Sequence, residues 1–362
     1  MKHADAAIAG GGIIGLASAL ELASAGLRVV VFERGRAMRE SSWAAAGMLA
    51  GSDPENPAAL RSLSELSLSV YPEFLAMVEV LSGQKIPIRT TQALQGAHTF
   101  PRQTEQLSAE TLNSIAPGVQ PDDLKFFLLA EQSLDPRDLV SALPTAAKAA
   151  GVTLLEQATV TAITSQPHSV QISTTQGEWS AANFINACGA WASDLAGVPI
   201  APRKGQMILV EHPEQHPGLT TVLRTPELYL VPRGNRRIVI GATVEDAGYD
   251  KQIDPSVIAA LHNAAAQLWP PLREARIIDA WAGLRPASAD FLPIIGTGLE
   301  TGMKASEGEP SPRSWLALGH FRNGILLAPG TARLLRQMIL QEPASIDASP
   351  FRANRFIASV VR

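Results

Sequence analysis

Short apolar runs alternate with amphipathic stretches along the chain, and the first of them predict a strand–helix–strand unit. The run Ala6–Ala9 stops at three glycines, a helical pattern continues to Ala25, and a second apolar run follows over Arg28–Glu33. Runs that are apolar throughout are typical of strands buried on both faces, and Gly26 stands where a helix would end. This order predicts the opening of a parallel sheet.

Later segments add more helices and a different kind of strand. Residues 203–245 alternate apolar and polar positions, as antiparallel strands do. The polar stretch Thr301–Arg313, rich in glycine, proline and serine, is predicted to be an exposed hairpin insertion. The predicted helices are Leu60–Leu81, Leu139–Ala150, Pro255–Leu268 and Gly324–Leu340, and the clearest further strands are Phe184–Ala187, Lys204–Glu211, Leu228–Pro232, Arg237–Ala242 and Trp315–Leu318.

Length, charge and cysteine content narrow the class of protein. A chain of 362 residues is long enough for two domains, and its net charge of −4 lacks the concentrated positive field that nucleic-acid binding requires. The single cysteine, Cys188, excludes an intramolecular disulfide and any metal site built from several cysteines. We therefore expect no bound metal, and a single cysteine is typical of a reducing, cytoplasmic compartment. The apolar stretch Ala6–Leu20 is shorter than the roughly 20 residues of a membrane span and lacks the features of a secretion signal, which also favours a cytoplasmic protein.

The three glycines open a G-x-G-x-x-G motif formed by Gly10, Gly12 and Gly15. Gly10 permits the tight turn from strand to helix, Gly12 lets the backbone approach a pyrophosphate, and Gly15 allows the helix to pack closely on the strand. The helix N-terminus supplies amide donors and a positive dipole. Glu33 ends the next strand, where a carboxylate accepts ribose hydroxyls and repels a 2′-phosphate. The unit predicts a dinucleotide site, for either NAD or FAD.

The last third of the chain favours FAD. Gly319–Gly324 (GHFRNG) joins a predicted strand to the last long helix. A helix N-terminus placed there suits a flavin, because its dipole stabilises negative charge on the reduced ring. On these residues alone, an ordinary strand–loop–helix corner and an NAD-dependent dehydrogenase stay open.

Five segments together resemble one protein family. They are Gly10–Gly15 with Glu33, Ala44–Leu49 (AAAGML), Asn186–Trp191 (NACGAW), Trp281–Pro286 (WAGLRP) and Gly319–Pro329 (GHFRNGILLAP). They occur in the order seen in the FAD-dependent D-amino-acid oxidase family, and within it they most resemble the glycine oxidase branch, which supplies an imine for the thiazole of thiamine. The resemblance covers essentially the whole chain.

The order of elements and the resemblance together predict an α/β fold. It would combine a Rossmann-like FAD-binding domain, with a mixed or parallel sheet and helices, and a smaller antiparallel-sheet substrate domain. The FAD-binding domain would be discontinuous, over residues 1–85, 138–200 and 276–362, and the substrate-binding domain would take residues 86–137 and 201–275.

The resemblance also implies which residues hold a non-covalent FAD. Cys188 lies outside the late cysteine motif through which related methylamine oxidases attach FAD. The implied contacts are Gly10, Gly12, Ile13, Ile14 and Gly15 at the diphosphate, Glu33 with Arg34 at the ribose, Ser41, Ser42, Ala46, Gly47 and Met48 along the ribityl chain and ring edge, Val160 at the adenine, Gly189, and His320, Phe321, Arg322, Asn323, Gly324, Ile325 and Leu326 around the pyrimidine side.

The candidate catalytic residues implied by the resemblance are Tyr229, Arg285 and Arg322. Arg285 and Tyr229 would hold a substrate carboxylate, with Arg322 as a second arginine of the substrate site. Met48 and Val244 would complete the substrate pocket, and Val244 stands where the family has a methionine. A planar guanidinium matches a carboxylate bidentately. The alternatives are a structural salt bridge for Arg285, a packed aromatic for Tyr229, carbonyl bonds for Arg322 and core filling for Met48.

The implied reaction is oxidative deamination of glycine and small amines or D-amino acids. A hydride would pass to FAD with O₂ as acceptor, giving a 2-oxo acid (glyoxylate from glycine), ammonia and H₂O₂. The alternatives are a D-amino-acid dehydrogenase, a sarcosine-type oxidase and, less favoured, a non-catalytic FAD-binding subunit.

The expected partners are the amine, O₂, further copies of the chain (a homo-oligomer, with a tetramer as one form) and a thiazole synthase that receives the imine. Neither nucleic acid nor an integral membrane association is expected.

Overall fold

The computed structural model describes residues 2–99, 105–298 and 314–359, and the predicted insertion Thr301–Arg313 lies outside these ranges. The strands are β1 (Lys2–Ala9), β2 (Val29–Glu33), β3 (Met48–Leu49), β4 (Ile88–Thr90), β5 (Ala93–Ala97), β6 (Lys125–Leu129), β7 (Gln132–Leu134), β8 (Thr153–Glu156), β9 (Val160–Gln166), β10 (Ser169–Thr174), β11 (Gly177–Asn186), β12 (Ala201–Glu211), β13 (Val222–Arg224), β14 (Tyr229–Gly234), β15 (Arg237–Gly241), β16 (Arg276–Ala287), β17 (Ile294–Thr297) and β18 (Ser314–Leu318). The helices are α1 (Ile13–Ser24), α2 (Ser41–Ala44), α3 (Arg61–Ser82), α4 (Ala109–Ile115), α5 (Pro136–Ala149), α6 (Ser193–Ala196), α7 (Pro255–Leu268) and α8 (Gly324–Leu340).

The first sheet has a parallel centre. Its main order is β17–β18–β11–β1–β2–β8, and β10 and β9 extend β11 as antiparallel strands. Ala6 and Ile8 of β1 pack into a core shared with α1, α3, α5 and α8. Ala7 and Ala9 belong to a separate cluster with Phe32 of β2. Strand β1 is therefore buried on both faces, as its continuous apolar run predicted.

The second sheet is largely antiparallel and has the order β16–β12–β15–β14–β13–β5–β6. One face packs on α7, with Ile208 of β12 and Ile240 of β15 in that core. Met207 of β12 and Val239 of β15, which alternate with them, lie in another cluster together with Ala44 of α2. The second sheet therefore turns one face toward the segment that follows β2, and the functional cavity lies on that side.

The predicted helices and strands that lie in the described ranges are present in the structure, but several further elements were not predicted, among them α4, β5, β6 and the long strand β16. Helices α7 and α8 have the predicted bounds. Strand β16 was not predicted because Gly283 and Pro286 interrupt its apolar pattern. It pairs with β12 from Ala201–Ala287 to Glu211–Arg276, so residues 276–287 belong to the second sheet, whereas the sequence division placed them with the FAD-binding segments. Within the described ranges, no helix is long and apolar enough to cross a membrane.

Candidate active site

A cavity of about 650 Å³ extends from the ends of the parallel strands to the face of the second sheet. Gly15 and Leu326 do not line it; Gly15 packs α1 on β1, and Leu326 is buried in the helical core. The predicted residues that line the cavity are Gly10, Gly12, Ile13, Ile14, Glu33, Arg34, Ser41, Ser42, Ala46, Gly47, Met48, Val160, Gly189, Tyr229, Val244, Arg285, His320, Phe321, Arg322, Asn323, Gly324 and Ile325.

The glycines of the first turn have different structural duties. Gly10 has φ +107°, and a Cβ there would come within 2.3 Å of the Ala187 carbonyl oxygen. A Cβ at Gly15 would come within 1.9 Å of the Gly10 carbonyl oxygen. At Gly12 the nearest atom to a Cβ is Ser42 Oγ, at 3.3 Å. The fold itself requires Gly10 and Gly15, whereas a Cβ at Gly12 needs Ser42 Oγ to move by only a few tenths of an ångström, and a larger side chain there would extend into the cavity.

Two polar side chains fasten this turn. The carboxylate of Glu33 accepts hydrogen bonds from the amides of Gly11 (2.8 Å) and Gly35 (2.7 Å). Each carboxylate oxygen has a second acceptor position, so Glu33 can still accept ribose hydroxyls. Ser42 Oγ accepts from the Ile13 amide at 2.9 Å, a pairing that nothing in the local sequence signals. The open position at Gly12, the N-terminus of α1 and Glu33 together fit an adenine dinucleotide.

The N-terminal half of α8 is held by α3 where a proline breaks its hydrogen-bond ladder. Pro329 has no N–H for the Ile325 carbonyl, and Tyr71 Oη donates to that oxygen at 3.0 Å. Ser67 Oγ donates to the Leu326 carbonyl at 2.5 Å and accepts from the Gly330 amide at 3.0 Å, so its hydroxyl is inserted between them. These bonds fix the helix N-terminus that faces the cavity.

His320 begins the turn into α8 and is buried beneath it. Its Nε2 lies 3.0 Å from Thr331 Oγ1. Burial lowers the pKa of His320 from 6.5 to about 3. The ring is therefore neutral near pH 7, and it serves the turn as a packed, hydrogen-bonded group and not as a cation.

Protonation of His320 is expected to destabilise the fold in acid. Because the pKa is lowered in the folded state, the stability it confers is present above pH 6.5 and is lost as the pH falls toward about 3. We expect the His320 contribution to the free energy of unfolding to fall by about 2 kcal/mol between pH 6.5 and 4.5. Urea unfolding of wild type and His320→Asn at both pH values isolates this contribution, and equal pH slopes for the two proteins would contradict it.

Arg285 and Tyr229 meet at the end of the cavity formed by the second sheet. Arg285 Nη1 donates to the Thr243 carbonyl at 3.0 Å. Burial raises the pKa of the Tyr229 hydroxyl, which donates to Met207 Sδ at 3.2 Å, and the nearby Arg285 charge opposes that rise. Among the described residues, no Asp or Glu oxygen lies within 4.0 Å of the Arg285 guanidinium. The alternative of a structural salt bridge therefore finds no partner in the described part of the chain.

Two glycines make room for these side chains. A Cβ at Gly205 would lie 2.3 Å from Arg285 Nη1, and a Cβ at Gly241 would lie 2.7 Å from Tyr229 Oη. Neither glycine was predicted from the sequence, because each makes room for a side chain on the neighbouring strand.

The two predicted pocket residues Met48 and Val244 also line the cavity. Met48 lies half-buried in β3, opposite Ser133, and Val244 is 64% exposed at the cavity rim.

Arg322 is already paired with acids. Its Nη1 lies 2.5 Å from Glu55 Oε2, and its Nη2 lies 3.3 Å from Asp53 Oδ2. Asp53 also lies 3.7 Å from Arg224, which pairs with the buried Glu131 at 3.0 Å. Burial raises the pKa of Glu131. The substrate role of Arg322 stays a prediction, and Asp53, Glu55 and Arg224 are cavity-lining charges that the sequence did not reveal.

Arg233 holds the loop that carries Ala46 and Gly47. Its Nη2 donates to the Ala46 carbonyl at 2.5 Å, and its Nε lies 3.4 Å from Asp135 Oδ2. Gly47 has φ +75°, and a Cβ there would come within 2.1 Å of the Leu134 carbonyl oxygen. Arg233 ends the sequence Val231-Pro232-Arg233, shortly after Tyr229, and nothing else in the sequence indicates its role.

Cys188 lines the cavity near the turn after β11. Burial raises the pKa of its thiol to about 12, and the Glu33 charge adds to that rise. The thiol therefore stays protonated near pH 7 and is a weak nucleophile.

A glycine turn on a parallel sheet, a late helix N-terminus and an arginine–tyrosine pair around one cavity define the class: a dinucleotide-binding oxidoreductase whose cavity is closed by a second sheet. The family described as DAO, FAD dependent oxidoreductase, matches residues 5–338. The chain belongs to this family, and its cofactor is FAD.

Named relatives agree with this assignment. The bifunctional protein ThiO/ThiG of Trichormus variabilis is 35% identical over an alignment of 370 residues that covers 97% of this chain and 55% of the relative. The chain thus spans about half the length of that protein. The glycine oxidase of Geobacillus kaustophilus is 31% identical over 98% of each chain. The crystal structure of glycine oxidase from that organism superposes with a TM-score of 0.89 at 28% identity, covering 98% of this chain and 99% of that one. The predicted family, cofactor and fold class are confirmed.

Proposed function

We propose that this protein oxidises glycine and small amines or D-amino acids that carry a carboxylate. One observation carries the proposal: the Arg285 guanidinium, beside the Tyr229 hydroxyl, faces the cavity without a carboxylate partner among the described residues. A half-buried cation of this kind attracts an anionic ligand. The glycine oxidases among the relatives support glycine as the first substrate to test.

The residues of this chain would act mainly by orientation. Arg285 binds the substrate carboxylate with its two-pronged guanidinium, and the Tyr229 hydroxyl donates a further hydrogen bond. Met48 and Met207 form apolar walls that exclude water from the amine carbon. Arg322, neutralised by Asp53 and Glu55, borders the same pocket. FAD, held by the glycine turn and the α8 turn, would supply a hydride acceptor and a route for the electrons to O₂. The imine product would take up water to give a 2-oxo acid and ammonia.

The cofactor assignments belong to the same proposal. The first sheet, with Gly12, Ile14 and Glu33, would hold the adenosine diphosphate part of a non-covalent FAD, and the α8 turn would hold the ring. The protonated Cys188 supports the absence of a covalent link. The second sheet would bind the substrate. The name ThiO/ThiG supports a thiazole synthase as the recipient of the imine, and a homo-oligomer stays a prediction.

Anaerobic mixing of the purified protein with glycine, sarcosine and D-alanine tests the reaction. We expect at least one of them to bleach the flavin absorption near about 450 nm. Admission of O₂ should then restore the colour and produce H₂O₂. Bleaching that only a quinone reverses would indicate a dehydrogenase. A flavin that none of the amines bleaches would contradict the proposal and favour a non-catalytic FAD-binding subunit.

A further inference from the structure

The loop between β15 and α7, residues 242–254, leaves the second sheet and returns to the helix that packs on it. We call it the bridging loop. At its start, the Thr243 carbonyl accepts the hydrogen bond from Arg285. At its end, Asp254 caps α7 by accepting from the Ser256 amide at 2.8 Å. Between these points, its side chains contact the first lobe, by which we mean the first sheet and the segments that follow its strands β2 and β11.

The base of the bridging loop is anchored on β12. Lys204 and Glu245 exchange backbone hydrogen bonds of 3.0 and 2.9 Å. The buried Lys204 ammonium lies 3.3 Å from Asp250. Gln206 donates to Glu245 at 3.0 Å and accepts from the Asp254 amide at 2.8 Å. Buried polar groups held this way specify one conformation of the loop.

The tip of the bridging loop contacts the first lobe through an aromatic pair and an ion pair. Tyr249 stacks on Trp191, with ring centroids 5.7 Å apart and an interplanar angle of 24°, and its hydroxyl donates to the Ala190 carbonyl at 3.1 Å. Lys251 Nζ lies 2.9 Å from Glu40 Oε2. Arg34 links the two contacts, lying 3.7 Å over the Trp191 ring and 3.4 Å from Glu40.

The first-lobe residues that the tip contacts belong to the cofactor cavity. Trp191, Glu40 and Arg34 line it, together with Glu33. Glu40 directly precedes Ser41 and Ser42, and Trp191 follows Gly189, so the tip fastens two of the segments assigned to FAD. Tyr249 and Lys251 therefore contact two segments that line the cavity, without being among its lining residues themselves.

We propose that the bridging loop is a clasp on the adenosine diphosphate end of FAD, and that Tyr249 and Lys251 slow the dissociation of the cofactor. They act by holding Trp191 and Glu40 in place at the wall of the cavity. The proposal rests on the assignment of this end of the cavity to the adenosine part of FAD in the proposed function. The stacked pair and its hydrogen bond carry most of the effect, since the ion pair is exposed and weak.

The test measures FAD dissociation from the purified holoenzyme. We expect Tyr249→Ala to raise the FAD dissociation constant and off-rate on the order of 10-fold, and Lys251→Ala about 2-fold. Tyr249→Phe, which keeps the ring and loses the bond to Ala190, should lie between wild type and Tyr249→Ala. Lys85→Ala is the matched control, because Lys85 forms a similar ion pair, with Glu79, and is not among the cavity-lining residues.

Thermal unfolding separates a clasp from a general structural role. A clasp predicts that Tyr249→Ala reduces the rise in melting temperature that FAD gives the apoprotein. A structural role predicts equal losses with and without FAD and an unchanged FAD affinity, and that result would overturn the clasp. If wild type holds FAD but no amine bleaches it, the proposed reaction fails while the clasp is still judged by the off-rates.

Discussion

Replacement of Arg285 by alanine is expected to lower kcat/KM for a carboxylate-bearing amine by about 30- to 5,000-fold. The range corresponds to the roughly 2–5 kcal/mol lost when one partner of a desolvated charge pair is removed. Arg285 has no acidic partner among the described residues, so its substitution leaves no protein carboxylate unpaired. We therefore expect Arg285→Ala to fold and to retain FAD, since the contacts proposed for the cofactor lie on other segments.

The controls for Arg285 distinguish substrate recognition from a structural role. Arg285→Lys should recover only part of the activity, because a point charge cannot reproduce the two-pronged geometry. An amine that lacks the carboxylate, such as methylamine in place of glycine, should lose little from Arg285→Ala. Flavin occupancy, melting temperature and kcat/KM for both substrates are the measurements. Equal losses on both substrates would count against carboxylate recognition and against the proposed amino-acid oxidase.

Local patterns in the sequence predicted the parts of the fold that depend on local interactions. The turn from β1 to α1 needs Gly10 for its positive φ and Gly15 for close packing, and both requirements are visible within a few residues of sequence. Helix α8 likewise shows its bounds in its own sequence. Strand β16 was missed because its pairing with β12 is long-range, and a strand that carries glycine and proline has no clear local signature.

The missed features of the candidate site are contacts between distant segments. Ser42 bonds to Ile13, Arg233 to Ala46, and Tyr71 to the carbonyl that Pro329 leaves without a donor. No periodicity along the chain records such pairs. The resemblance supplied Arg322, but the acids that pair with it lie in the loop after β3 and could be located only in three dimensions.

Gly12→Val should yield a folded protein that carries no FAD. The backbone at Gly12 has φ −76° and ψ −178°, a conformation that valine adopts, and the new Cβ would lie 3.3 Å from Ser42 Oγ, so that this hydroxyl has to move by a few tenths of an ångström. The branched side chain would occupy the space beside the N-terminus of α1 where the pyrophosphate is expected to lie. Gly12→Ala, with a single methyl group, should bind FAD more weakly than wild type without losing it.

The contrast with Gly15 makes this prediction specific to the cofactor. Gly15→Val brings a Cβ within 1.9 Å of the Gly10 carbonyl oxygen, so it should disrupt the packing of α1 and lower the melting temperature even of the apoprotein. Gly12→Val should instead leave the melting temperature of the apoprotein close to that of wild type, while the ratio of flavin to protein absorbance falls to background. A full complement of FAD in Gly12→Val would show that this turn does not hold the pyrophosphate. The adenosine end of the cofactor, and the clasp beside it, would then have to be assigned elsewhere in the cavity.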